Sequence, residues 1–279
     1  AREGEKKEID EESIEKAIEE RGYVSNVIEE KIDEMILSGE VSINVSGSQV
    51  GRLNGLGVYD RGYYAFGRPI RISAQIAPGE EGVVNIEREA GLSEEAHDKG
   101  VLIIEGFLRS RYTRGFPLSL YGSICFDQSY GEVEGDSASS AELYSLLSAI
   151  SGLPLRQDIA VTGSVNQMGE VLTVGGIIEK VEGFYRICKK SGLTGKQGVM
   201  VPEGNLRELI LNRDVAAAIE DGSFAIYVVS SIDEGMELLT GRKAGATMVK
   251  GKFPEGTINY LIQKNLKQLA EKMKSYTRM

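Results

Sequence analysis

Histidine is nearly absent from this chain, with His97 the only one. That excludes a zinc enzyme built on an HExxH helix or a Cys/His cluster. A Ser-His-Asp triad would have to use this single residue as its base. Cysteine is almost as scarce. Cys125 and Cys188 form neither a CxxC nor a metal spacing, and they read as two buried thiols suited to a reducing cytosol. No apolar run approaches the roughly 20 residues of a bilayer span. The polar N-terminus carries no signal-peptide pattern. The expectation is a cytoplasmic protein off the membrane. Basic excess is also missing. The net charge of −10 disfavours nucleic acid as a partner, because a phosphate backbone calls for clustered positive charge. There is no internal repeat and no low-complexity segment.

What is present is ordinary globular material: 279 residues, 41% hydrophobic and 27% charged, enough for one large or two ordinary domains with a real core. The chain starts at Ala1 rather than at a methionine, which reads as a processed form or a piece of something longer. Residues 1–40 are rich in Glu and Lys around spaced isoleucines and suggest two short helices joined near Gly22, with little core of their own. From Val41 the period changes to the alternation of strands, at 41–45, 55–59, 69–76 and 83–87.

After residue 97 helices and strands alternate. The spacing predicts helices over 97–114, 138–151, 176–190 and 233–239, with small ones near 205–220. Strands are expected at 118–126, 158–165, 170–174, 198–201 and 224–229. The result is an α+β layered fold over 41–241. A basic tail over 242–279 follows, with an amphipathic helix at 258–276 expected to present a solvated charged face. Gly195-Lys196-Gln197 fails as a phosphate loop for want of a Ser or Thr at 197 and of a glycine at 190. ATP hydrolysis is not expected of this chain, and it needs no cofactor.

Two segments carry chemistry. Gly135-Asp136-Ser137-Ala138-Ser139-Ser140 crowds hydroxyls at a helix N-terminus. Unsatisfied N–H groups there favour negative charge and suit the oxyanion of acyl transfer. Asp136 or Ser137 would also serve as a plain N-cap. Ser139 falls on the buried side of the first turn, in line with Leu143 and Leu146, and Ser140 passes nearly the same test. The second segment is Gly175-Gly176-Ile177-Ile178-Glu179-Lys180. Lys180 lies at the edge of that helix's apolar face. A solvated lysine with a snorkelling stem is one outcome. An inward, desolvated lysine with a lowered pKa is the other, and it could act as a base toward serine. Thr162 is a candidate to orient that amine.

Taken together, these motifs resemble the proteolytic domain of the Lon family of ATP-dependent proteases, in its B-type branch. The similarity runs through 134–139, then Thr162-Gly163-Ser164, Gly169-Glu170-Val171-Leu172, Gly175 to Lys180, and Gly198 to Pro202, in matching order over roughly 41–241. The resemblance implies a serine endopeptidase acting on unfolded or damaged proteins in protein quality control. It assigns Ser139 as nucleophile and Lys180 as general base, with Thr162 beside the amine and Asp136 near the serine. It implies a hexameric homo-oligomeric ring and an AAA+ ATPase module in the parent chain, of which 1–40 would be the end. ATP and Mg would serve only that absent module. The acidic loop 127–136 could gate access. Two rivals stand beside this reading: a serine esterase using Ser137 and His97, and a non-catalytic assembly or regulatory module with an occluded site.

Overall fold

The computed structural model describes Asp10, Ile14 and residues 26–62, 64–248 and 252–276. Of the two expected N-terminal helices, the first lies outside the described residues. The second is α1, Val27–Leu37.

The centre is a seven-stranded sheet, and its strands are β2 (Arg52–Asp60), β3 (Ala65–Ala77), β4 (Gly82–Asn85), β5 (Tyr121–Phe126), β7 (Ile159–Val161), β10 (Gly198–Pro202) and β11 (Ala225–Val229), in the order β11-β10-β7-β2-β3-β5-β4. Short pairs flank it: β1 (Ser48–Gln49) with β6 (Leu155–Arg156), and β8 (Ser164–Val165) with β9 (Val171–Leu172). The β2–β3 and β3–β5 ladders are antiparallel. The ladders linking β11, β10, β7 and β2 are parallel, as is β4–β5. The helices after α1 are α2 (Ile86–Glu89), α3 (Glu95–Tyr112), α4 (Ser139–Ser151), α5 (Ile177–Ser191), α6 (Arg213–Glu220), α7 (Ile232–Thr240) and α8 (Ile258–Tyr276). The fold is the expected α+β layering.

Alternation along each strand divides the core in two. On one face, Leu53, Ile72 and Met200 pack against Leu143, Leu146, Leu147 and Ile150 of α4. On the other, Leu56, Ala160, Val199 and Val201 pack against Ile177, Val181, Phe184 and Cys188 of α5. The α8 helix of the basic tail joins the first cluster through Ile258, Ile262 and Leu266, and Asn265 donates to the Ile150 carbonyl at 2.8 Å. Its basic residues occupy the outer face, as the sequence suggests.

Three expected strands differ. Residues 41–45 form no strand; the Asn44 carbonyl is satisfied by the buried Asn54 side chain at 2.7 Å, a local bond that takes the place of a ladder. The strand at 83–87 stops at Asn85, whose side chain accepts from the Arg88 N–H and starts α2. The strand at 158–165 breaks at Thr162-Gly163. There the Thr162 N–H goes to the Met200 carbonyl and the Gly163 N–H to the Ser137 carbonyl, so one segment serves both the sheet and the serine turn.

The α1 helix is fastened to α5 by charge. Asp33, 1% exposed, accepts from Arg186 at 2.8 and 3.2 Å and from Lys190 at 2.8 Å. Arg186 also pairs with Glu29 and donates to the Gly67 carbonyl.

Candidate active site

The β2–β7 ladder is short, with only Asn54 opposite Ala160 and Gly55 opposite Val161. Beyond it the strands part. The α4 helix on one face and the α5 helix on the other bring their chemistry to that opening.

The α4 helix begins at Ser139 and ends at Gly152, whose φ of 74° and N–H bond to the Ser148 carbonyl close it. Ser137 sits in the turn just before it. Two bonds fix its carbonyl, from the Gly163 N–H at 2.9 Å and the Thr162 hydroxyl at 3.2 Å. Its own hydroxyl oxygen lies 3.0 Å from the Lys180 amine. The amine donates a second bond to the Gly175 carbonyl, also at 3.0 Å.

Ser139 therefore does not meet Lys180, and the expected pairing is corrected to Ser137. The Ser139 side chain is fully buried, and its hydroxyl accepts from the Val165 N–H at 3.0 Å. Ser140 is equally buried; its hydroxyl has no partner among the described residues. Helical periodicity ranks residues by how far they point inward, and so it selects the serines that pack. Ser137 is half-buried and lies on the wall of a cleft, open to a bound molecule. The signal that could have found it is its place two residues ahead of the helix. Thr162 holds the Ser137 backbone, where contact with the amine was expected. Asp136 is at the turn, with its carbonyl accepting from the Ser139 N–H at 3.0 Å.

Lys180 is 3% exposed, so the inward outcome holds. Burial pulls its pKa down from 10.5 to about 8, partly opposed by the charges of Asp136 and Glu179. Glycines make this position reachable. A Cβ on Gly67 of β3 would lie 1.9 Å from the Glu179 carbonyl oxygen and 2.7 Å from the Lys180 Cα, and one on Gly183 would lie 2.1 Å from the Gly67 carbonyl oxygen. The strand and helix backbones touch there, which carries Lys180 deep enough to reach across the opening. Gly176, at φ 65°, turns the chain into α5. Sequence reasoning missed this glycine contact, because Gly67 and Gly183 are far apart in the chain.

His97 does not reach Ser137. It is fully buried in α3, with Nε2 3.0 Å from Glu142 Oε1 and Nδ1 2.9 Å from the Ser93 hydroxyl. Both ring nitrogens are occupied, which removes the esterase reading. Burial alone would lower its pKa, but the hydrogen bond and charge of Glu142, with Glu87 and Asp98, turn the net shift upward.

The cleft measures about 890 Å³ and is lined by Leu56 to Asp60 of β2, Ala65, Arg68 and Ile70 of β3, Phe126, parts of 129–138 including Ser137, and Gly175, Gly176, Glu179 and Lys180. Among the described residues no group of His, Cys, Asp or Glu is disposed to hold a metal ion, and no helix is long and apolar enough to cross a membrane. Cys125 and Cys188 are both unbridged.

Residues 131–241 match the Lon protease (S16) C-terminal proteolytic domain. A protein of Escherichia coli named "Putative Lon protease homolog" is 39% identical over 224 residues, covering 80% of this chain and 38% of the relative. Its namesake in Haemophilus influenzae is 43% identical over 209 residues, with 74% and 35% covered. An archaeal Lon protease of Thermococcus kodakarensis is 34% identical over 201 residues, with 70% and 28% covered. The chain thus spans little more than a third of the length of these relatives at most.

Proposed function

Because the chain belongs to the Lon protease (S16) family by way of its proteolytic domain, we propose that it is a peptide-bond hydrolase whose working pair is Ser137 and Lys180. The observation that carries this is the 3.0 Å contact between the buried amine and the cleft-facing hydroxyl.

The neutral amine takes the Ser137 proton as the oxygen attacks a peptide carbonyl. The oxyanion lies at the N-terminus of α4. There the Ser139 and Ser140 N–H groups already serve the Asp136 and Gly163 carbonyls, which leaves the N–H groups of Ser137 and Ala138 nearest to it. Lys180 then gives its proton to the leaving amine, and the C–N bond breaks. Water attacks the acyl-enzyme with Lys180 again as base. The product acid departs and the Ser137 hydroxyl is restored.

The substrate is polypeptide in extended form. Past Gly55 the β2 edge away from β3 has no strand partner among the described residues and lines the cleft, so an added strand can pair there. Extended binding favours unfolded chains, in keeping with a role in protein quality control. The same family reading includes a homo-oligomeric ring, an ATPase module in sequence outside this chain, and a reducing, cytoplasmic setting that suits the two unbridged thiols.

The test is labelling by a serine-reactive fluorophosphonate, mapped by peptide mass spectrometry. Modification at Ser137 that disappears in Lys180→Ala is expected; reproducible labelling elsewhere with Ser137 untouched would overturn the assignment.

A further inference from the structure

The cleft holds one cation that the proposed chemistry does not use. Arg68 lies on β3 opposite Gly57 of β2. Gly57 carries no side chain, and the Ile70 side chain lies over it, so that a Cβ there would come 2.9 Å from Ile70 Cδ1. The alternation of β3 puts Arg68 on the same face as Ile70 and Ile72, the face that α4 covers. Arg68 and Ser137 therefore line the cleft from the same side of the sheet.

No carboxylate among the described residues forms an ion pair with Arg68, although the same cleft is lined by Asp60, Glu94, Glu132, Glu134 and Glu179. Burial disfavours its charge, opposed only by Tyr59. Elsewhere in the fold comparable arginines are paired: Arg71 with Asp127, Arg156 with Asp158, and Arg186 with Asp33. A partly desolvated guanidinium with five donors and no anion is a site short of its partner. The cleft it shares also has apolar wall residues, Ile70, Phe126 and Val133, which suit the stem of a short side chain.

We propose that Arg68 is a specificity-determining residue that pairs with the carboxylate of an Asp or Glu side chain in the bound polypeptide. The acidic rim works against a generally acidic substrate. The preference is thus for one acidic residue at one position in an otherwise neutral or basic segment. The proposal rests on the peptidase reading for its ligand, yet binding can be read without turnover.

The experiment uses the Ser137→Ala protein, so that nothing is cleaved. Fluorescein-labelled decapeptides of Leu and Ala carry a single Asp moved through each position, beside the same set with Asn. Anisotropy should show the Asp peptide bound about tenfold more tightly than its Asn partner at one or two adjacent positions, as for a hydrogen-bonded ion pair. Adding Arg68→Gln should bring that ratio to near one, and adding Arg68→Lys should keep part of it. Arg68→Glu should turn the preference toward a Lys-containing set. Equal binding of Asp and Asn peptides, an Asp advantage that survives Arg68→Gln, or no binding of any peptide would each overturn the proposal. Failure of the peptidase reading shows separately, as wild-type protein that leaves every peptide intact while the binding ratio is still measured.

Discussion

The Lys180 amine stands 3.0 Å from the Ser137 hydroxyl oxygen, while two residues further on the Ser139 hydroxyl faces the other way and accepts from the Val165 backbone at 3.0 Å. The two serines share a motif, and the proposed chemistry gives them different work. Ser137→Ala should lower turnover of an unfolded protein by at least about a thousandfold with stability intact. Ser139→Ala should do the reverse. It strands a buried N–H and costs about 1–3 kcal/mol, while folded protein still cleaves. Chemical denaturation and single-turnover rates on both variants separate the two. Equal loss of activity in both, at equal stability, would reject the assignment.

The pair was legible in the sequence as a motif and only half legible as residues. Lys180 stood out as a cation at the edge of the apolar face of an amphipathic helix, a pattern that left solvated and inward outcomes open until packing chose the inward one. Periodicity left Ser139 and Ser140 tied and the resemblance assigned Ser139, whereas the amine meets Ser137, ahead of the helix where periodicity has no say. Alternation and turn chemistry revealed most strands. They failed at 41–45, where a side-chain amide replaces a ladder, and at Thr162-Gly163, where one N–H leaves the sheet to hold Ser137. What no local pattern could reveal is the meeting of Gly67 with α5, since that depends on two distant backbones touching.

The lowered pKa of Lys180 sets the pH dependence. In the proposed pair the base is the neutral amine, so the acylation rate should rise about tenfold per pH unit below the pKa and level off above about 8. Stability follows the same group. Between about 8 and 10.5 the unfolded chain holds a proton that the folded chain has released, so stability rises with pH across that window. Below it the full cost of the buried charge is present. Lys180→Met should therefore be inactive and, at neutral pH, more stable by about 3 kcal/mol. Thermal unfolding of the variant at or below the wild-type temperature would contradict a desolvated lysine.

Gly67→Ala probes position without touching chemistry. The new methyl would sit 1.9 Å from the Glu179 carbonyl oxygen and 2.7 Å from the Lys180 Cα, so α5 must retreat from β3. Overpacking of this kind costs about 1–3 kcal/mol. A displacement of about 1 Å between reacting groups can remove about a hundredfold in rate. The variant should lose kcat with KM little changed, because the β2 edge is left in place. Wild-type kcat in folded Gly67→Ala would mean that the strand–helix contact does not set the reach of the lysine.

The buried His97 and Glu142 pair makes an opposite pH prediction from the other end of the serine helix's first turn. Neither side chain is exposed, and His97 has its pKa raised through Glu142. A raised pKa stabilises the fold fully below the unfolded value of about 6.5 and loses that contribution as pH climbs through the folded value. Wild-type stability should therefore fall between about pH 5.5 and about pH 8.5 by more than that of His97→Gln. The variant should itself be weaker by about 3 kcal/mol at the acid end, where Glu142 is left without its partner. Turnover per folded molecule should persist in His97→Gln, since Nε2 ties α3 to Glu142 of α4, Nδ1 is held by the Ser93 hydroxyl, and neither reaches Ser137. Denaturant titrations at the two pH values, with active-site labelling to count folded molecules, measure both halves. Abolished turnover in fully folded His97→Gln would return the histidine to the chemistry and take Lys180 out of it.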